Sequence, residues 1–232
     1  MSSEPKEYRQ TRFERPPGAT EILLIRHGES RAATPDDPFP LVDGHGDPEL
    51  HANGQEQARR VGERLKGQPI TAVYVSNLRR THETAAPLCA HLGLEPRIDP
   101  DLREVFLGEW EGGLLRIKAH QNDPIIQEVF AKRRWDVIPG AESPESLTER
   151  LSRSLNRIAA AHPDELVAAF VHGGVIGHIL SDATGARPFS FNGADNGSIS
   201  HIVMTEGQIL VRRFNDSTHL HDEISTAEAQ MT

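Results

Sequence analysis

The sequence predicts an α/β fold: a three-layer αβα sandwich around a mostly parallel central sheet. Short apolar runs at 21–26, 72–75 and 166–171 alternate with longer segments of helical periodicity, the order that builds parallel strands with helices packed on them. The same runs are apolar at nearly every position, not at alternate ones, as strands buried on both faces are. Ligands of such sheets sit at the carboxyl ends of the strands, and His27, Ser76 and His172 all fall just past such ends.

Residues 1–19 are polar, carry Pro16-Pro17-Gly18, and are expected to form a flexible tail. A single domain is expected over 20–215. Its first strand runs into Arg26-His27-Gly28. Residues 33–48 hold four prolines, several aspartates and Gly44-His45-Gly46, which predicts a long loop. From 54 to 66, Ala58, Val61 and Leu65 recur at helical spacing. After the strand at 72–75, a helix over 78–92 closes at Gly93, and a short strand follows at 96–98. Residues 113–139 read as a cap insertion. Ser143 as cap and Pro144 as first helical residue open a further helix, with Leu147, Leu151, Leu155 and Ile158 on one face. The strand at 166–171 leads to a helix from about 175. Two β-runs, 199–205 and 208–214, flank Glu206-Gly207 and predict a hairpin. Residues 216–232 are expected to be a loose tail.

Composition bounds the function. Of 232 residues 37% are hydrophobic and 25% charged, ordinary for a soluble globular chain. The net charge of −9 argues against broad nucleic-acid binding and leaves room for a small cationic pocket. Cys89 is the one cysteine, so neither an intrachain disulfide nor a cysteine zinc site can form, which fits a reducing compartment. The first twenty residues lack the apolar core of a signal peptide, and no apolar run nears the ~18 residues of a membrane span. The expectation is a cytoplasmic monomer or homodimer acting on a small molecule, with neither nucleic acid nor membrane as partner.

Four segments carry chemistry. In Arg26-His27-Gly28-Glu29-Ser30 an imidazole follows a buried strand. Neutral imidazole is a competent nucleophile, and the adjacent cation disfavours its protonated form. In Ser76-Asn77-Leu78-Arg79-Arg80-Thr81-His82, an arginine near a helix start can clamp a phosphate; Arg79 and Arg80 point in different directions, so one of them enters a site. Leu102-Arg103-Glu104 and Gly108-Glu109-Trp110-Glu111 supply carboxyls for general acid work, and spacing alone does not choose among them. His172-Gly173-Gly174 sets a histidine and backbone N–H groups between a strand and a helix, which suits a phosphoryl oxygen.

Together with Gly54-x-x-Gln57-Ala58 and Pro139-Gly140-Ala141-Glu142-Ser143, these segments resemble, in order, the histidine phosphatase superfamily, also called phosphoglycerate mutase-like. The resemblance spans about 21–184. It implies a phosphoglycerate mutase-like sandwich, His27 as the phosphorylated nucleophile, and Glu104 as proton donor. It further implies Arg26, Arg80, His172, Gly173 and Ser30 as substrate-binding residues, and neither metal nor organic cofactor. Relatives often carry an asparagine three residues beyond Ser30; here Ala33 stands there. The cap is short, and Lys132-Arg133-Arg134-Trp135 is its one basic stretch comparable to the paired arginines of mutases. The reading is therefore a phosphatase acting on a small phosphate monoester, with phosphoglycerate mutase-type transfer or a non-catalytic phospho-ligand protein as alternatives. A metal-dependent hydrolase, using Asp43, His45 and Asp47 or His219, His221 and Asp222, is the least favoured.

Overall fold

The computed structural model describes residues 7–220. Strand β1 (Thr20–Arg26) is followed by a two-stranded ribbon, β2 (Leu41–Val42) with β3 (His45–Gly46), and by helix α1 (Ala52–Leu65). Next come β4 (Ile70–Val75), α2 (Arg79–Leu92) and β5 (Arg97–Ile98). Two short helices, α3 (Leu114–His120) and α4 (Pro124–Lys132), precede the long α5 (Pro144–Ala161). The chain ends with β6 (Leu166–Val171), α6 (Gly173–Thr184), β7 (Ile199–Thr205) and β8 (Gln208–Asp216).

Six strands form one sheet in the order β5-β4-β6-β1-β7-β8. The first four run parallel; β7 and β8 are antiparallel additions at one side. The three strands expected to be deep are thus neighbours in the middle. Alternation within β1 shows why each is apolar throughout. Leu23 and Ile25 pack with Val61, Leu65 and Leu88 of α1 and α2. Ile22 and Leu24 pack with Leu151, Ile158, Ile176 and Leu180 of α5 and α6. Successive side chains of a strand point to opposite faces, and here both faces are covered by helices.

The helix ends follow their local chemistry. Ser143 Oγ accepts from the Ser146 N–H (3.1 Å), and Pro144 occupies the first turn of α5. α2 stops where Gly93 turns left-handed (φ 66°), a conformation glycine adopts without penalty. α3 and α4 form a small flap over the carboxyl ends of the strands, with its own apolar cluster around Trp110, Val129 and Ile138.

Three expectations are corrected. The 33–48 segment is not all loop: the β2–β3 ribbon lies inside it, seated by the Arg80 guanidinium on Gly46 O (2.9 Å) and by Asp47 on the Arg79 N–H (2.7 Å). Residues 7–19 lack regular structure but are tied down. Arg212 stacks over the Phe13 ring, Arg15 pairs with Glu21, and the Gly18 N–H donates to Asp164. Residues 217–220, expected to belong to the loose tail, are tied down as well: the His219 ring bonds Gly197 O (3.0 Å) and Leu220 O accepts from Arg60. No helix among the described residues is long and apolar enough to cross a membrane.

Candidate active site

The carboxyl ends of β1, β4 and β6 deliver Arg26-His27, Ser76 and His172 to one place. β1 and β6 are parallel neighbours with Arg26 opposite Val171, so the residues that follow them emerge side by side. The His27 and His172 rings lie 5.1 Å apart, tilted by 59°, and both are almost wholly buried.

His27 is held from several directions. Its backbone N–H donates to Val171 O (3.0 Å), and its carbonyl accepts from Asn196 Nδ2 (2.9 Å). Its Nδ1 lies 2.7 Å from Gly28 O. A carbonyl only accepts, so Nδ1 carries the proton and Nε2 keeps the lone pair. Burial pushes the His27 pKa well below the ordinary histidine value; the charges of Arg80, Arg26 and Arg116 push the same way. The ring is therefore neutral at pH 7. Arg26, expected from its adjacency to help keep the ring uncharged, ranks behind burial and behind Arg80.

The backbone after His27 is clamped by the two helices on that face. The Gly28 N–H donates to Thr84 Oγ1 (3.0 Å) and the Glu29 N–H to Gln57 Oε1 (2.8 Å). α1 starts against this turn. A Cβ on Gly54 would stand 2.0 Å from Glu29 O, and one on Gly28 would stand 2.5 Å from Gly54 O. Only glycine permits that approach.

His172 is the residue before α6. Its Nε2 meets Ser76 Oγ at 2.9 Å, while its Nδ1 is buried without a partner among the described residues. Burial, then Arg80, then His27 hold its pKa well below the ordinary value. Gly173 begins α6, and a Cβ there would stand 3.2 Å from Arg26 Nε. The Gly174 N–H donates to Glu104 Oε2 (3.2 Å), and Glu104 Oε1 accepts from the Val105 N–H (2.9 Å).

The two arginines of the second motif separate as their helical positions require. Arg80 is buried, and burial pushes its pKa down to about 10. Arg79 faces solvent, paired with Glu83 and Glu49. Arg26 is half-buried, donates to Ala194 O, and keeps Nε without a partner among the described residues. Among the described residues no carboxylate forms an ion pair with Arg26 or Arg80.

The acids of the 101–111 segment also sort themselves. Glu104 reaches the pocket. Glu111 ties the ribbon by accepting from the Gly46 N–H (2.7 Å) and the Leu107 N–H (2.9 Å). Asp101 pairs with Arg153 and Arg157, and Glu109 is exposed. Beneath this loop the buried Arg150 donates to the carbonyls of Asp101, Arg103 and Glu104 and pairs with Glu142 (2.8 Å).

Every expected site residue lies in or against this pocket. Ser30 is buried at its edge, accepting from Arg116 at 2.7 Å. The basic cap stretch singled out from the sequence does not act on His27: Lys132 pairs with Glu128, and Arg134 with Asp136 and Glu145. The cap cation that does is Arg116 of α3, which the sequence reading missed. Asn196 was missed as well, although the turn-rich run from Gly193 to Gly197 just before β7 hinted at it. Among the described residues no three His, Cys, Asp or Glu side chains group to hold a metal ion. Asp43 bonds Asn77, Asp47 bonds the Arg79 N–H, and His45 lies on Phe106; His221 and Asp222 lie outside the described residues.

Comparison with known proteins gives concordant results. The profile of the histidine phosphatase superfamily (branch 1) matches residues 22–217. Phosphoglycerate mutase-like protein 4 of Arabidopsis thaliana is 42% identical over 160 residues, covering 67% of each chain. A metal-independent phosphoserine phosphatase of the same plant is 30% identical over 206 residues, covering 87% of this chain and 83% of its own. Among solved structures, Bacillus stearothermophilus YhfR superposes with a TM-score of 0.74 at 25% identity, covering 87% of this chain and all of its own.

Proposed function

The chain belongs to the histidine phosphatase superfamily, and from that premise we propose that it hydrolyses small phosphate monoesters through a phosphohistidine on His27. The observation that carries this reading is the state of His27. It is a neutral imidazole with Nδ1–H spent on Gly28 O, set among guanidinium groups that form no ion pair with a carboxylate among the described residues.

The chemistry then has assigned places. Arg26, Arg80 and the His172 ring bind the non-bridging phosphoryl oxygens, with Gly173 and Ser30 at the edge. His27 Nε2 attacks phosphorus; a P–N bond forms and the P–O bond to the leaving group breaks. Glu104 gives the leaving oxygen a proton. Water then attacks the phosphohistidine, Glu104 takes its proton, the P–N bond breaks and inorganic phosphate departs. The charge of the pentacoordinate state is balanced by fixed donors, a preorganised arrangement of large catalytic effect. The 30% identical relative is named a metal-independent phosphoserine phosphatase, which supports hydrolysis by such chemistry.

A mutase reading rests on the 42% identical relative, whose name is phosphoglycerate mutase-like. A panel of phosphate esters, including phosphoglycerates with and without bisphosphoglycerate, separates the two. Hydrolysis releases inorganic phosphate from each ester used; a mutase interconverts phosphoglycerates and needs the bisphosphate. For the mechanism, quenching with a labelled ester should trap acid-labile, base-stable phosphate on the wild type and none on His27→Ala, with turnover reduced by at least about three orders of magnitude. A well-folded His27→Ala protein with near wild-type turnover would sink the assignment.

A further inference from the structure

Arg116 is carried by the flap, not by the sheet. Its guanidinium reaches down to the loop after His27 and donates to Ser30 Oγ (2.7 Å) and Arg31 O (2.9 Å). The Phe39 ring lies 5.3 Å below it and fixes its plane. α3 itself is seated on the same loop: a Cβ on Gly113, the residue before α3, would stand 2.9 Å from Ala33 Cβ and 3.0 Å from the Phe39 ring. The Arg116 charge is near enough to be felt by His27, Arg26 and Arg80 alike. Among the described residues no carboxylate forms an ion pair with it.

Three guanidinium groups therefore bear on His27, two from the sheet side and one from the flap; Glu104 offsets the first two and Glu29 the third from beyond ion-pair distance. Setting the buried Arg80 beside Arg26 and the exposed Arg116 without a contact ion pair is costly, and a bound anion relieves that cost. Ser30 completes the geometry. Its oxygen accepts from Arg116, which leaves its O–H to donate outward.

We propose that Arg116 is a phosphoryl-binding residue delivered by the flap, so that occupation of the pocket by a phosphate or phosphate-like anion holds α3 against the loop after Ser30. The inference rests on the phosphatase reading and adds to it a coupling between anion and flap. Arg116 and Ser30 bind as a pair, and the flap is tightest with substrate or product phosphate present.

The test uses the full chain, with inorganic phosphate and orthovanadate as probes. Arg116→Ala should raise the inhibition constant of both by about tenfold or more. Arg116→Lys should recover part of the loss, since a point charge cannot serve Ser30 and the anion in one fork. Lys118→Ala, on the same helix but paired with Asp123, should leave both constants unchanged. Orthovanadate should slow amide exchange across 114–120 in the wild type and not in Arg116→Ala, a readout that a merely structural staple would not give. Unchanged inhibition constants in a folded Arg116→Ala protein, or equal slowing of exchange in both proteins, would overturn the coupling and leave the phosphatase reading intact. A wild type that neither hydrolyses esters nor binds phosphate would overturn both.

Discussion

Replacing Arg80 by methionine should make the empty protein more stable while removing its grip on phosphate. Arg80 is 6% exposed and donates one N–H to Gly46 O at 2.9 Å. Burial drives its pKa down to about 10; Glu104 and Asp47 offset this in part, and Arg116 adds to it. An ordinary guanidinium lies above 12, and each pH unit of depression corresponds to about 1.4 kcal/mol. The empty pocket therefore costs the fold roughly 3 kcal/mol at this side chain. The sign follows from a base whose folded value is depressed: the penalty is present wherever both states are protonated, that is below about pH 10. Methionine keeps most of the volume and drops the charge. Losing the Gly46 bond returns about 1 kcal/mol of that gain, so a net stabilisation of about 2 kcal/mol remains. At about 2–4 °C per kcal/mol for a chain of this size, Tm should rise by roughly 4–8 °C in phosphate-free buffer at pH 7. The phosphate inhibition constant should weaken by about two orders of magnitude, near 2.7 kcal/mol. Phosphate at about a hundred times its Kd adds roughly 2.7 kcal/mol to the wild type and reverses the order of the two melting temperatures. Arg79→Ala is the control, because its pair with Glu83 is exposed and screened by solvent and so contributes little. Lower stability of Arg80→Met without phosphate, or phosphate affinity within about threefold of wild type (near 0.7 kcal/mol), would refute the reasoning.

Two further predictions concern the proton and the histidines. Glu104→Gln should slow alkyl phosphates far more than p-nitrophenyl phosphate, whose phenolate leaves unaided; equal slowing of both would remove Glu104 from the donor role. His27 and His172 are neutral and buried, with pKa values well below the ordinary range, so below about pH 6.5 the unfolded chain takes up protons that the native state refuses. Their contribution to stability is thus complete above that pH and is lost as pH falls, with His45, His178, His201 and His219 acting in the same direction. Urea titrations between pH 7.5 and 5 should show it, with a shallower slope for His27→Asn; a flat profile in the wild type would contradict the burial argument.

Much of this architecture is written locally. β1, β6 and the β7–β8 hairpin announce themselves as continuous or alternating apolar runs, and the residues at the ends of β1 and β6 belong to the candidate site. What stayed illegible depends on contacts between distant segments. The β2–β3 ribbon has two residues per strand, too few for any period, and its position comes from Arg80 and Glu111. Arg116 sits on a seven-residue helix with no fully buried position, so no hydrophobic pattern says which way it faces. Arg150 could have been found. It stands three residues after Leu147 on the apolar face of α5, where a charge demands a buried partner, and that partner is Glu142. The competition among Glu104, Glu109 and Glu111 was undecidable by spacing, because a loop, not a helix, fixes their directions.

The sheet order has a consequence for how the chain is made. β1 is made before every other strand of the sheet, yet its neighbours β6 and β7 follow only after β4, β5 and the helices between them. The carbonyl that accepts from Arg26 lies 168 residues downstream, and the amide that holds the His27 carbonyl lies 169 downstream. Until those segments arrive, an apolar strand waits with both edges open, ready to pair with a strand of another nascent chain. Closing so long a loop is slow. The candidate site therefore cannot assemble until β6 and β7 have been made, and refolding yield should fall as protein concentration rises.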